Sequence, residues 1–416
     1  MSKIKNFQFY QLTIIIIKTY TQRGISMKKV SILTLVGRNF NNNYGAVLQA
    51  YALQETIKKL NYNTEIIDFN PKASKNEILK KICQRINEGN FLNMVLRISS
   101  KNISSKLHKK QEILRNKKFE TFRSEQLYLS KKTYNNEEEL INNYETSDYY
   151  IVGSDQVWNP IAGIEKIKVY LFSFVTNSKK ISYAASVSKK IPENYKKTYS
   201  DLLKDFDYIS VREMDGKEQI KQLTDKNIEI VLDPTLLLSK NEWNRISKEP
   251  KNIPTYKYIF VYDLYRSNEI LSGLCKFAKK RGLKIINYTP NNIYKKIKYT
   301  HVSDSFYEYG PSEFLWYLKN SEYVVTSSFH GTVFSLLFEK EFYAVTPDTG
   351  YKGGNAFNSR LTDLLDTLGL KNRILDDPSK LNIVNFEKGI DWGKIDEKLN
   401  VEKEKSLNFL KNTLNS

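Results

Sequence analysis

Tyr323–Val345 reads YVVTSSFHGTVFSLLFEKEFYAV. An apolar run, Tyr323 to Val325, meets a small-residue turn, Thr326-Ser327-Ser328-Phe329-His330-Gly331. A helical period follows at Val333, Phe334, Leu336 and Leu337, and a second apolar run spans Phe342 to Val345. This change of period predicts a strand, loop, helix, strand unit. In such a unit the loop lies at the carboxyl end of the strand, and Thr332, opening the helix, would present free backbone N–H groups and a positive dipole end to an anion. His330 stands at that mouth. Of the three histidines, His108 falls in a basic helical run and His301 in a polar loop, so His330 is the one positioned for proton chemistry. Position alone is equally compatible with a satisfied structural histidine beside a turn glycine.

The alternation extends in both directions. Before the central unit come a strand at Tyr258–Tyr262, a helix at Asn268–Lys280, a strand at Leu283–Tyr288, a polar loop around His301 and a helix opened by Gly310-Pro311-Ser312. After it come the flexible loop Gly350–Gly354 and Asn358-Ser359-Arg360, which leads a helix over Leu361–Leu368. The first half repeats the pattern with strands at Val30–Val36, Glu65–Phe69, Tyr149–Val152, Lys180–Tyr183, Tyr208–Val211 and Ile228–Leu232. The opening strand, helix, strand segment is a parallel-sheet signature, but its Gly37-to-Gly45 loop is not GxGxxG, so no dinucleotide is specified.

The chain has 416 residues with 40% hydrophobic content, enough for two cores. We expect a first domain over 27–240, a second over 241–390 and a returning helix over 391–416. Residues 1–26 read as an upstream extension, because Met27 is followed at once by Lys28, Lys29 and the first strand. Net charge is +19, which favours a partner carrying negative charge. Residues 72–120 break the alternation with basic amphipathic helices carrying 13 Lys/Arg against 4 Glu. A solvated helical insertion is expected there, with peripheral contact to an anionic membrane at its inner face as the alternative; sparse aromatics argue against nucleic acid. The two cysteines lack metal-ligand spacing and no 18-residue apolar run occurs, so the expectation is a cytoplasmic protein without disulfides or zinc.

Several polar residues stand just past strands. Gly153-Ser154-Asp155-Gln156-Val157-Trp158 combines hydrogen-bonding groups with an aromatic ring, a mixture suited to a sugar. Asp155 could accept a hydroxyl proton or serve as an Asx turn. Arg212 could grip phosphate or carboxylate with two parallel hydrogen bonds, or form a surface pair with Glu213. Arg360 could add a second cation at the His330 mouth. Gly45 could let a ligand approach the backbone, or mark a plain turn.

Two Rossmann-like halves across a cleft describe the GT-B architecture. Asn43-x-Gly45-Ala46 with Leu48-Gln49-Ala50-Tyr51-Ala52-Leu53, then Gly153 to Trp158, Ser210-Val211-Arg212-Glu213, Asp233-Pro234-Thr235-Leu236-Leu237, Ser328-Phe329-His330-Gly331 and Ser359-Arg360 follow in order between Val30 and Ile374. This set resembles the polysaccharide pyruvyl transferase family. The resemblance implies a GT-B-like fold and transfer of pyruvate from phosphoenolpyruvate to a sugar, or lipid-linked oligosaccharide, as a cyclic ketal in cell-surface polysaccharide synthesis. It implies no metal and no cofactor beyond phosphoenolpyruvate as co-substrate. His330 and Asp155 would be catalytic. Arg212, Ser328, Gly331, Lys352 and Arg360 would hold the donor, while Asn43, Gly45, Gln49, Ser154, Gln156 and Trp158 would face the acceptor. The family's characterised members carry arginine two residues before the histidine, where this chain has Ser328. Either Arg212, Arg360 or Lys352 covers the donor's charge, or the donor differs. A nucleotide-sugar glycosyltransferase and a non-catalytic glycan-binding protein are the other readings the sequence leaves open.

Overall fold

A computed structural model of the chain describes residues 27–36, 42–71, 91–264, 268–289, 302–346, 354–382, 384, 386 and 388–416, with the side chains of 91–108, 303, 354–358 and 382 left aside. The expected extension over 1–26, residues 350–353 of the glycine loop, Lys352 and His301 lie outside the described residues.

Two six-stranded, all-parallel sheets form the frame. In the first, β1 (Lys29–Leu33), β2 (Asn63–Ile66), β3 (Tyr149–Val152), β4 (Lys179–Ala185), β5 (Tyr208–Val211) and β6 (Ile228–Ile230) lie in the order β2-β1-β3-β4-β5-β6. In the second, β7 (Tyr258–Tyr262), β8 (Lys284–Asn287), β9 (Val302–Ser305), β10 (Tyr323–Thr326), β11 (Glu341–Val345) and β12 (Ile374–Leu375) lie in the order β12-β11-β10-β7-β8-β9. The central strands are apolar on both faces, as a sheet covered by helices on both sides requires. This is the α/β, GT-B-like arrangement of two Rossmann-like units. The strand order reverses between β1 and β3 in one sheet and between β7 and β10 in the other. Ligand crevices in such sheets open at the carboxyl ends of the strands flanking these reversals.

Both reversal points are stitched by side chains. In the first sheet Gln49 Nε2 donates to Thr34 Oγ1 at 2.8 Å, while Ser154 N donates to Gln49 Oε1 at 3.0 Å. In the second, Thr326 Oγ1 donates to the Tyr262 carbonyl at 2.7 Å and Ser327 Oγ to Asp263 Oδ1 at 2.7 Å. Loops leaving these strands are therefore held where the next residues must act.

The halves share an apolar layer. Tyr44, at the start of the helix Tyr44–Lys59, stacks on Phe314 of the second half at 4.6 Å, and Tyr51 of the same helix meets Trp243 at 5.7 Å, which in turn meets Phe334 edge-on at 4.9 Å. Val30, Tyr44, Trp243, Phe260, Phe314 and Phe334 belong to one continuous buried cluster. The helix Trp392–Asn415 runs back over the first half, where the Leu414 carbonyl accepts from Tyr62 Oη at 2.6 Å and Tyr149 Oη at 2.7 Å.

Three expectations need correction. Val302–Ser305 is the edge strand β9, not part of a polar loop, because it pairs in parallel with β8 and Ser305 is buried, with Oγ donating to the Thr289 carbonyl and accepting from Tyr307 N. The basic insertion is not simply a solvated helix. Phe91–Gln126 is one 36-residue helix whose Phe119 and Phe122 are buried, and whose Arg115 sits among the rings of Tyr44, Phe119, Tyr288 and Tyr307 at 4.7 to 5.2 Å. Finally, the helix after β10 begins at Phe329, not Thr332, because Ser328 caps it by accepting from Gly331 N. Among the described residues, no helix is long and apolar enough to cross a membrane.

Candidate functional site

His330 occupies the first turn of the helix Phe329–Leu337, directly after β10. Its neighbour from the other half is Gly45, in the first turn of Tyr44–Lys59. A Cβ built on Gly45 would lie 2.0 Å from His330 Nδ1 and 2.4 Å from Cγ, so only glycine leaves room for the imidazole. The space expected to admit a ligand at Gly45 is taken by this ring. Two helix amino termini thus meet, and neither first turn carries an acidic residue. Their dipoles add positive potential at one point.

Around that point lie two guanidinium groups and three carboxylates, all buried. Arg212, just past β5, puts Nη1 2.6 Å from Asp233 Oδ2 and Nη2 3.4 Å from Asp155 Oδ1. Its guanidinium stacks over the Phe329 ring from the second half at 4.5 Å. Arg360, in the helix Gly354–Leu368, brings Nη1 to 3.8 Å from the same Asp155 oxygen. Turning the Gln156 amide over also gives Arg360 an acceptor oxygen at 3.0 and 3.1 Å. His330 Nε2 lies 3.5 Å from Asp233 Oδ2. Contacts therefore cross between the halves at His330–Asp233, Arg360–Asp155 and Phe329–Arg212.

The charges act on one another strongly because water is excluded. Burial alone would raise the Asp233 carboxyl, yet His330, Arg212 and the Thr235 hydrogen bond hold it well below the ordinary carboxylate range. Burial raises Glu213, and the attraction of Arg212 and Arg360 offsets only part of that effect. Arg360 is pushed down to about 10, first by burial and then by the like charge of Arg212. Burial lowers Arg212 too, but Asp233, Asp155 and Glu213 more than compensate, so its pKa is raised. Arg212 Nε and His330 Nε2 are buried without a hydrogen-bond partner among the described residues. Buried donors in that condition are costly unless a ligand or water meets them.

The other expected site residues have different fates. Asn43 caps its helix, accepting from Gly45 N at 2.9 Å and Ala46 N at 3.4 Å. Ser154 is fully buried and donates to Asp233 Oδ2 and the Ala184 carbonyl, each at 3.0 Å. Gln49 spends its amide on the stitch described above. The sugar platform expected at Trp158 is not formed: its ring is fully buried, edge-on to Phe206 at 5.7 Å, with Nε1 donating to the Tyr170 carbonyl. Packing claims it, since Trp158 belongs to a buried apolar cluster with Tyr170, Phe172 and Phe206. Gly331 is pressed against β10, where a Cβ would lie 2.2 Å from Thr326 Oγ1. The Arg212–Glu213 surface pair does not occur either, since both are buried and their closest approach is 3.9 Å.

Asp233 and Glu213 were given no role from the sequence. Each is an acidic residue just past a parallel strand, which was the available signal. Asp233 carries the larger share, since its Oδ2 meets Arg212, Ser154 and His330 together while Oδ1 accepts from Thr235 N at 3.1 Å and Oγ1 at 2.6 Å. Among the described residues there is no group of three or more His, Cys, Asp or Glu side chains able to hold a metal ion. The arrangement offers fixed positive charge, one imidazole and a carboxylate between two strand-end loops, which suits an anionic substrate and proton transfer.

Solved structures similar to this chain include a UDP-GlcNAc 2-epimerase from Methanocaldococcus jannaschii, with 12% identity, TM-score 0.49 and coverage of 86% of this chain and 92% of that one. A glycosyltransferase from Rickettsia africae has 12% identity, TM-score 0.46 and coverage of 94% and 99%, respectively. The UDP-GlcNAc 2-epimerase from Neisseria meningitidis has 10% identity, TM-score 0.44 and coverage of 86% and 98%. A search of the curated proteins gives no match. The family model of the polysaccharide pyruvyl transferases matches residues 43–349, a span that runs from the Asn43 cap to the segment beyond β11 and takes in every charged group of the cluster except Arg360, and the chain belongs to that family.

Proposed function

We propose that the protein transfers pyruvate from phosphoenolpyruvate to two hydroxyls of one sugar, forming a cyclic ketal and releasing phosphate. The observation that carries this reading is the meeting of Arg212, Arg360 and His330 between two helix amino termini. That is a cationic, water-poor setting for a small molecule bearing both phosphate and carboxylate. Membership in a transferase family supports this reading.

The chemistry follows from the donor. Protonation of carbon 3 converts the enol phosphate into an electrophile at carbon 2, and His330 is the acid we assign to this step. An acceptor hydroxyl adds to carbon 2 and gives up its proton, with Asp155 as its acceptor or orienting group. The C–O bond to phosphate then breaks, the electron pair leaving with phosphate, which takes one proton. A second hydroxyl of the same sugar adds to carbon 2, loses its proton and closes the ring. One proton is consumed at carbon 3 and one by phosphate, matching the two released by the hydroxyls. Arg212 and Arg360 stabilise the leaving dianion. Asp233 keeps the His330 ring oriented.

The acceptor must present two hydroxyls close enough to share one carbon, as a saccharide does. His330→Ala is expected to lower phosphate release from phosphoenolpyruvate, in the presence of a saccharide acceptor, by about 10²–10⁴-fold. Turnover equal to wild type would remove His330 from the mechanism. Thermal stabilisation by nucleotide sugars but not by phosphoenolpyruvate would instead identify a glycosyltransferase.

A further inference from the structure

Asp155 holds the position a donor anion needs. Its Oδ1 alone lies 3.4 Å from Arg212 Nη2 and 3.8 Å from Arg360 Nη1, so one carboxylate oxygen bridges two guanidinium groups that come from opposite halves. The phosphate or carboxylate of an anionic donor would make the same kind of bridge with shorter, better-aligned bonds. Both contacts are long for charge-assisted hydrogen bonds, whereas Arg212 reaches Asp233 at 2.6 Å. Arg212 thus engages Asp155 more weakly than it engages Asp233.

We propose that Asp155 is an exchangeable internal stand-in for the donor anion: the donor displaces it from between Arg212 and Arg360, and only then is its carboxylate free to receive the acceptor's proton. Binding is consequently ordered, donor first and acceptor second. This inference rests on the proposed function for the identity of the donor, but not for the exchange itself.

Three further observations support it. Arg212 Nε and His330 Nε2 are buried without a hydrogen-bond partner among the described residues, which leaves hydrogen-bonding capacity in the cluster unused. The two neighbouring helix amino termini carry no acidic residue in their own first turns, so their dipoles add to the positive potential of the guanidinium pair. Asp233 and Glu213 stay behind when Asp155 leaves. Glu213 Oε1 accepts from Ser186 Oγ at 2.8 Å and Val187 N at 3.0 Å, and Asp233 is fixed by Thr235 and Ser154. Asp155 makes no comparable set of side-chain bonds; its carbonyl is held by Ser186 N at 2.9 Å, so the exchange turns its side chain and leaves its backbone in place.

The test measures binding of inorganic phosphate and of phosphoenolpyruvate by isothermal titration calorimetry, on wild type, Asp155→Asn and Asp155→Gly. Asp155 has φ of +66°, a left-handed conformation that asparagine and glycine both adopt readily, so neither variant strains the turn. If the stand-in occupies the guanidinium pair most of the time, removing its charge removes that competition. Both variants should then bind phosphate about tenfold more tightly, while turnover falls. Phosphate affinity equal to or weaker than wild type in both variants would overturn the exchange, even if the wild type releases phosphate from phosphoenolpyruvate as expected. Tighter phosphate binding by the variants, with no turnover of phosphoenolpyruvate by the wild type, would uphold the exchange and sink the donor assignment. For the wild type, phosphate should be a competitive inhibitor against phosphoenolpyruvate. A dead-end acceptor analogue that binds free enzyme as tightly as the donor complex would overturn the order.

Discussion

Gly45→Ala adds one methyl group, and the structure specifies where it goes. The new Cβ would stand 2.0 Å from His330 Nδ1, 2.4 Å from Cγ and 2.7 Å from Cε1, whereas ordinary contact begins at 3.4 Å. The imidazole must therefore retreat by about 1.4 Å, or the two halves must part by a similar amount. A displacement of about 1 Å at a reacting group costs about 10²-fold in rate. The stability effect is smaller, because overpacking costs about 1–3 kcal/mol while replacing glycine in a helix returns up to about 1 kcal/mol. We expect phosphate release to fall about 100-fold with a net destabilisation of about 0–2 kcal/mol by urea unfolding. A double-mutant cycle isolates the cause. In a His330→Ala background the obstacle is gone, so Gly45→Ala should become neutral or slightly stabilising. If the substitution is as destabilising without the imidazole as with it, the clash is not with His330 and the close approach of these helices is not what positions the ring.

Two further substitutions examine the supports of the site. Arg115→Lys keeps a charge but loses the planar fork that donates to Tyr44 Oη at 2.6 Å and the Tyr307 carbonyl at 3.2 Å; we expect a loss of about 2 kcal/mol in unfolding free energy, and a loss below about 0.5 kcal/mol would show that the guanidinium is not a tie between the halves. Asp233→Asn removes the carboxylate partner of Arg212 and should cost about 3–5 kcal/mol at neutral pH. The folded pKa of Asp233 is depressed, so its contribution is fully present above the unfolded carboxylate value of about 4 and is lost as pH falls below that value toward the folded one. The gap between wild type and variant should be flat from about pH 8 to 5 and narrow below about pH 4; an unchanged gap at about pH 3 would contradict the ion pair.

The sheets could be read from the sequence because their central strands are apolar on both faces and end in turn residues. Tyr149–Val152, Tyr208–Val211 and Tyr258–Tyr262 have the expected bounds for that reason. Edge strands gave weaker signals. Val302–Ser305 has three polar residues of four, and Ile374–Leu375 has only two residues. At the site, the positions of His330, Arg212 and Asp155 follow from one rule: each stands beyond a strand or at a helix start at the carboxyl ends of a parallel sheet. Arg360, expected to lead its helix, instead lies within the helix Gly354–Leu368. What the rule could not supply was side-chain direction. Trp158 stands among polar residues past β3 as a ligand-facing aromatic would, but apolar neighbours contributed from distant parts of the chain, Phe206 and Tyr170 among them, enclose it. Asp233 has the opposite history. Its sequence context resembles a helix-start aspartate, and only the approach of Arg212 and His330 from two other segments makes it central.

The same geometry decides how a donor can enter. One side of the junction is the apolar layer of Tyr44, Phe314, Trp243 and Phe334, and exposing large buried apolar side chains costs about 1.5–3 kcal/mol apiece. The other side is held by polar contacts of 3.5 Å at His330–Asp233 and 3.8 Å at Arg360–Asp155, both longer than an optimal hydrogen bond. Buried ion pairs such as Arg360–Asp155 come close to break-even against hydration. An opening that separates the whole interface is therefore far more expensive than one that exchanges partners within the charged side alone. The Arg115 cluster strengthens the apolar side further, since it ties the Phe91–Gln126 helix to Tyr44 and to the Tyr307 carbonyl. Exchange of Asp155 for an incoming anion leaves every one of those aromatic contacts in place and returns to Arg212 and Arg360 a counter-charge with more oxygens than it removes. The fixed layer then serves as the pivot against which His330 keeps its place on Gly45 while the charges around it change hands.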